Sequence, residues 1–297
     1  MARLRHHPTL RRARRRLLLL RRTGAWRPGS IVLAASGRTI HVDPRDPRGW
    51  EIVRGLGRGH QPALIALWRR AVEHQGPDLV VDVGANYGEL LLSGDYPPTA
   101  AVVAVEPNPT VASLLRRSIA EHPHAASMRL EEVIASDRDD GTATLHIDPA
   151  WSGSASVALA GAGRSGRALE QVEVPVRTLD ALTADAPDGA SLLLKVDAEG
   201  WEAAVLAGAT GLLERAGAVT ALIEFDPDHL RRAGADPAAL FATLASVGRC
   251  WAVAHDGTAT PIDRPPAAPC DVLVASDPEL AEAVLAGPAG PAATDPG

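Results

Sequence analysis

Lysine is almost missing from this sequence: of 30 basic residues only Lys195 is lysine, and the rest are arginines. Cysteine, methionine, tyrosine and phenylalanine occur twice each, and aromatic residues make up 3% of 297. Two cysteines far apart exclude a disulfide scaffold, so Cys250 and Cys270, expected near one end of the last two strands, read as small buried hydrophobes in a reducing compartment. No apolar run approaches the roughly 18 residues that span a bilayer, and a soluble cytoplasmic protein is expected. Few aromatics leave few platforms for stacking bases, and a net charge of −6 lacks the basic footprint of a nucleic-acid binder. Acidic residues are themselves missing before Asp43, whereas nine arginines crowd the first 22 positions.

That asymmetry divides the chain. Residues 1–29 read as a basic, solvated, disordered arm, whose other use would be peripheral contact with an anionic surface. Its apolar run, Leu17 to Leu20, is shorter than the roughly 7 to 15 residues of a secretory core. Residues 30–77 form an extension: a hairpin turning at Ser36-Gly37, then a helix carrying Leu64, Ile65, Trp68 and Val72 on one side. Residues 78–286 form the main domain, and the Gly/Pro/Ala stretch 287–297 is expected to be disordered.

Seven apolar runs punctuate the main domain: 79–84, 101–106, 128–135, 192–197, 220–225, 250–255 and 271–276. Most lack polar alternation, as expected of strands covered on both faces. Helical patterns lie between them. Asn108-Pro109 and Asp236-Pro237 each place a capping side chain before a proline suited to the first helical turn. The alternation predicts an α/β fold with a doubly wound, mostly parallel seven-stranded sheet. Two segments, TATLHI and VEVPV, add antiparallel structure around a Gly/Ser-rich stretch. Within that stretch WSGSASV (151–157) reads as a mobile acceptor-side loop or a linker.

Ligands of open α/β sheets bind beyond the carboxyl ends of the strands. The first run closes as Asp82-Val83-Gly84-Ala85-Asn86-Tyr87-Gly88, a glycine turn that allows close backbone approach. The second closes as Glu106-Pro107-Asn108, placing a carboxylate where ribose hydroxyls can be accepted. A nicotinamide cofactor needs G-x-G-x-x-G for its pyrophosphate, whereas Asp82 would repel that anion. Asp82 suits the cationic S-adenosylmethionine (SAM). Ser136 and Asp137, after the third run, are placed to receive the adenine amino group.

These pieces, VVDVGANYG, VVAVEPNP, ASD before Gly141, VPVRTLDAL, LLLKVDAEGWEAAVLAGA and ALIEF, together resemble the FkbM-type SAM-dependent methyltransferases over roughly residues 79–226. The resemblance implies a class I methyltransferase fold and SAM as methyl donor. It also implies a hydroxyl acceptor on a sugar, lipid or polyketide-type small molecule. It puts Asp82, Gly84, Asn86, Gly88, Glu106, Asn108 and Asp137, with Ala85 between them, around the cofactor. Two departures stand out. Asp95-Tyr96-Pro97-Pro98 must cut short a helix that is usually longer in the family, and Trp201 stands where a smaller residue is expected.

Methyl transfer to an alcohol requires in-line placement and removal of a proton. Glu199, two residues past the fourth run, is the leading base; Asp197 is assigned to orienting the cofactor's methionine part, Lys195 to pairing with these carboxylates, and Glu224 to the same catalytic group. Asp197, Glu199 and Glu224 also offer oxygens of the kind Mg²⁺ takes, although the preferred reading uses no metal. The expected activity is SAM-dependent O-methylation of a neutral small molecule or glycan, with no specific nucleic-acid partner. The alternatives are an NAD-dependent dehydrogenase and a catalytically silent α/β binding domain anchored by the arm. Asp148-Pro149-Ala150-Trp151 imitates an adenine-methylating signature but lies at the wrong place in the chain.

Overall fold

In the computed structural model, which describes residues 17, 19–21, 23–158 and 168–286, the apolar runs become strands with helices on both sides. The extension supplies β1 (Ser30–Val32), β2 (Thr39–His41), α1 (Pro47–Arg54) and α2 (Pro62–Gln75). The first half of the domain follows as β3 (Leu79–Val83), β4 (Ala101–Val105), α3 (Pro109–Ala120), β5 (Met128–Glu131), β6 (Ile134–Ala135), β7 (Thr142–Asp148), β8 (Trp151–Ser156) and β9 (Glu170–Arg177). The second half comprises α4 (Leu179–Leu182), β10 (Ser191–Val196), α5 (Glu202–Ala207), α6 (Thr210–Arg215), β11 (Ala218–Phe225), α7 (Pro227–Arg232) and α8 (Pro237–Val247). It closes with β12 (Arg249–Val253), β13 (Ala259–Ile262), β14 (Cys270–Ala275) and α9 (Pro278–Leu285).

The main sheet has the order β13-β12-β14-β11-β10-β3-β4-β5. From β5 to β11 the neighbours are parallel, and β14 runs antiparallel between β11 and β12. Leu192, Leu194 and Val196 face a core that includes Leu206, Leu230 and Leu244, whereas Leu193 faces one built on Leu64, Trp68 and Leu115. Burial on both faces explains the missing alternation, and each such aliphatic side chain contributes about 1.5–3 kcal/mol. The caps form as expected: Asn108 accepts from the amides of Thr110 and Val111, and Asp236 from that of Ala238.

Four features differ from the sequence reading. The main sheet has eight strands, because β13 adds an antiparallel edge to β12. The third run divides: β5 stays in the main sheet, while β6 crosses to a second sheet of order β6-β9-β7-β8. Residues 151–156 are a strand, β8, paired antiparallel with β7, and Asp148 accepts from the amide of Ala150 in the connecting turn. The cysteines lie at opposite ends of β14, since Cys250 pairs in register with Val274 while Cys270 opens the strand, and both are free.

Beyond Gly88 only a single 3-10 turn, Leu91–Ser93, precedes the Asp95–Pro98 segment. Tyr96 then turns inward, donating to the Leu91 carbonyl at 2.7 Å and accepting from Trp68 Nε1 at 3.2 Å.

The hairpin turns where expected, with Gly37 in the left-handed region. The arm needs an amendment. Residues 1–16 and the tail 287–297 lie outside the described residues, but Leu19 is buried in a core with Ile31, Ile40, Ile52 and Tyr87. An arginine-flanked leucine run gives no period from which this docking could be read. Leu19→Ala is accordingly expected to cost about 2–3 kcal/mol, whereas Leu17→Ala, at a side chain 44% exposed, should cost under about 0.5 kcal/mol. Urea unfolding of the two variants checks this difference.

Candidate active site

The carboxyl ends of β3, β4, β10 and β11 open onto a cavity of about 290 Å³. Its floor is the turn after β3. Gly84 has φ +70°, and a Cβ there would lie 1.8 Å from the Asp197 carbonyl oxygen. The close approach that demands glycine is therefore backbone to backbone, β3 against the end of β10. Gly84 and Ala85 both donate their amides to the Val105 carbonyl, at 3.0 and 3.1 Å. Asn86 also adopts positive φ, and its amide donates to Glu106 Oε2 at 2.7 Å, while the Asn108 amide donates to Oε1 at 2.9 Å. Burial pushes the Glu106 carboxyl up to about 7 against the pull of those two amides and of Lys195.

Lys195 holds the centre. Its Nζ donates to the Gly84 carbonyl at 2.8 Å and lies 3.3 Å from Asp197 Oδ2 and 3.5 Å from Asp82 Oδ1. Burial works against the ammonium, but Asp197 and Asp82 prevail and hold its pKa above the ordinary lysine value. Asp82 is 1% exposed, its Oδ1 accepts no hydrogen bond, and burial raises its pKa in spite of Lys195.

Past β10 the chain makes a strained turn: Glu199 has φ +52° and Gly200 φ +101°, with His229's carbonyl 2.8 Å from where a Gly200 Cβ would sit. Glu202 closes the turn, accepting from the amides of Ala198 and Gly200 at 2.9 and 3.1 Å. The Glu199 carbonyl accepts from Ser156 Oγ of β8 at 3.0 Å, and its Oε2 lies 3.3 Å from His229 Nδ1. Glu224, at the end of β11, has its pKa raised well above the carboxylate range by burial and by the charges of Asp197, Glu199 and Glu202. Asp271, in register with Glu224 on β14, is likewise pushed up, to about 7, chiefly by burial.

Of the residues singled out from the sequence, Asp82, Gly84, Ala85, Asn86, Glu106, Lys195, Asp197, Glu199 and Glu224 meet around this cavity. Gly88, Asn108, Ser136 and Asp137 stand behind its lining. A Gly88 Cβ would press on Leu115, and the Asn108 side chain caps α3. Ser136 Oγ donates to Asp137 and accepts from Trp201 Nε1, each at 3.1 Å, so Trp201 packs as a wall anchored on the end of β6. Arg48 and His60 of the extension also form walls and gave no sequence signal, whereas Trp151 of β8 opens the stretch read as an acceptor-side loop or linker. Asp46 ties these parts together, accepting from Tyr87 Oη at 2.7 Å and from the amide and hydroxyl of Ser152 while capping α1.

An acidic glycine turn with a carboxylate at the end of the adjacent strand defines a nucleoside-cofactor α/β enzyme without the glycine spacing of a dinucleotide site. The sequence matches the methyltransferase FkbM domain over residues 82–249, and the chain belongs to that family. It is a SAM-dependent methyltransferase, which removes the dehydrogenase alternative. No curated protein matches the sequence. Among solved structures, a putative O-methyltransferase from Klebsiella pneumoniae is similar at 8% identity, covering 72% of this chain and 80% of its own, with a TM-score of 0.41. The Bacillus cereus O-methyltransferase in complex with SAH is similar at 12% identity, covering 72% and 81%, with a TM-score of 0.39. The Geobacter metallireducens precorrin-6y C5,15-methyltransferase is similar at 12% identity, covering 73% and 88%, with a TM-score of 0.37.

The cavity fits SAM on chemical grounds. The buried Asp82 Oδ1, which has only the ion pair with Lys195 and no hydrogen bond among the described residues, and the carboxylates around it suit a ligand carrying sulfonium and ammonium charges. Glu106 keeps lone pairs on both oxygens after its two amide bonds. No helix among the described residues is long and apolar enough to cross a membrane.

Proposed function

We propose that this methyltransferase acts on a hydroxyl oxygen of a neutral sugar, lipid or polyketide-type small molecule. The observation that carries the reading is the cluster of carboxylates, Asp197, Glu199 and Glu224, that lines the cavity at the ends of β10 and β11 beside the Lys195–Gly84 tie. An alcohol cannot lose its proton unaided, and a carboxylate beside the methyl group can receive it. Bound SAM would supply an electrophilic methyl group for the acceptor oxygen, with neutral S-adenosylhomocysteine as the leaving group. Glu106 holds the ribose hydroxyls, Asp82 and Asp197 face the cationic end, and Glu199 takes the hydroxyl proton on a carboxylate oxygen. The acidic lining disfavours phosphate-bearing acceptors. Outside the first 22 residues 21 basic residues face 36 acidic ones, so the charge balance also opposes a nucleic-acid substrate.

The test offers radiolabelled SAM to the full chain and to a chain lacking residues 1–16, with total nucleic acid or with a nucleic-acid-free pool of glycans and lipids. Label is expected in the second pool with both chains. Label in nucleic acid that survives removal of residues 1–16 overturns the hydroxyl reading, and SAM binding without any transfer favours a silent binding domain.

Glu106 yields a separate expectation. If only its ionised form accepts the ribose hydroxyls, the binding-competent fraction falls as pH drops through about 7. SAM affinity should then weaken about tenfold from pH 8 to pH 6. Calorimetric titration of Glu106→Gln should lose most of this pH step and start from weaker binding, by about 1–3 kcal/mol.

A further inference from the structure

Carboxyl groups crowd the carboxyl edge of the sheet and outnumber the basic groups placed among them. Asp197, Glu199, Glu202, Glu224 and Asp271 converge there, against the single ammonium of Lys195, which is already shared with Asp82. Glu202 is satisfied by two amides. Glu224 is not: its Oε2 is shielded from solvent and has no hydrogen-bond partner among the described residues. A shielded carboxylate oxygen facing other carboxylates calls for a proton or a cation to meet it.

One ligand atom each from Glu199, Glu224 and His229 lie within 4.8 Å of one another, close enough to share an ion. The imidazole is held as metal-ligating imidazoles are: Nδ1 lies 3.3 Å from Glu199 Oε2, and Nε2 lies 3.5 Å from Asp226 Oδ2, a carboxylate that fixes the ring from behind. Asp226 is itself fixed, because Oδ1 caps α7 by accepting from the amides of Asp228 and His229. The strained backbone at Glu199 turns the side chain of that residue toward His229 instead of leaving it along the strand.

We infer that Glu199, Glu224 and His229 form a binding site for one divalent cation at the acceptor end of the cavity. Two carboxylates and one imidazole favour Mn²⁺, Fe²⁺ or Zn²⁺ over Ca²⁺. The site's role rests on the hydroxyl-acceptor reading. A cation there draws the acceptor oxygen to the ends of β10 and β11 and lowers the pKa of its hydroxyl; with Glu199 then engaged as a ligand, Asp197, outside the ligand set, replaces it as the proton acceptor.

The experiment reads metal binding directly, with neither acceptor nor methyl transfer, so that it stands or falls apart from the hydroxyl reading. Untagged, chelator-stripped full chain is titrated with Mn²⁺ by electron paramagnetic resonance, with Zn²⁺ as competitor. About one Mn²⁺ per chain, displaced by Zn²⁺, is expected. Glu224→Gln and His229→Ala should each weaken binding at least tenfold while SAM affinity and melting temperature stay near those of the parent. Absence of stoichiometric Mn²⁺ or Zn²⁺ binding by the parent overturns the site, and so does parental binding in both variants. A variant that fails to fold is replaced by His229→Asn, judged by the same titration.

Discussion

Glu199→Gln is expected to bind SAM like the parent and to turn over about 10² to 10⁴-fold more slowly. Glutamine keeps the size of the side chain and the backbone demand of the turn, in which Glu199 already sits at φ +52°. What it removes is a carboxylate able to take a proton or hold a cation. Cofactor affinity is insulated, because Glu106, Asp82 and the Gly84 turn lie on the other two strand ends. Calorimetry with SAM followed by single-turnover kinetics on an identified acceptor separates the two quantities. Unchanged turnover would move the proton to Asp197 or Glu224. Chelation of the parent then discriminates further, since a metal-free base does not respond to EDTA.

Lys195→Met should destabilise the fold by about 3–5 kcal/mol. Methionine fills much of the space of the stem, so the loss is electrostatic. Lys195 is 7% exposed, and its removal leaves Asp82 without the counter-charge that meets it among the described residues and the Gly84 carbonyl without its donor. The companion variant Asp82→Asn,Lys195→Met should regain part of the loss, because the uncompensated carboxylate disappears with its partner. Denaturant unfolding of the parent, the single and the double variants gives the coupling. A single-variant cost below about 1 kcal/mol would mean that Asp82 is already neutral in the folded protein.

Strands buried on both faces were legible because their apolar runs are continuous and bounded; β3, β4, β10 and β11 fall within about two residues of their sequence limits. The elements that escaped lack that signature. β13 is four residues long, contains Pro261 and has an exposed centre, so only its pairing with β12 makes it a strand. β8 is built largely of serine, glycine and alanine, residues of low strand propensity, and exists through its pairing with β7. The same division runs through the site. Residues on a strand end or its following turn, such as Asp82, Glu106 and Glu199, are local in sequence and could be found there. His229 lies five residues past Glu224, beyond a helix cap, and its approach to Glu199 follows from how α7 packs. Arg48 and Leu19 carry no pattern of their own, because long-range packing alone brings them in.

The family segment begins at residue 82, yet the aspartate that fastens the glycine turn to β8 is Asp46, thirty-six positions earlier. The floor of the cavity and the part of its wall formed by Arg48 and His60 are thus written in separate stretches of the sequence. Exchange of residues 30–77 between relatives would reshape the mouth of the cavity through Arg48 and His60 without disturbing Glu106 or Lys195. Such an arrangement lets acceptor preference drift while the donor half stays fixed, provided each new extension keeps an acceptor in the place of Asp46 for Tyr87 and Ser152.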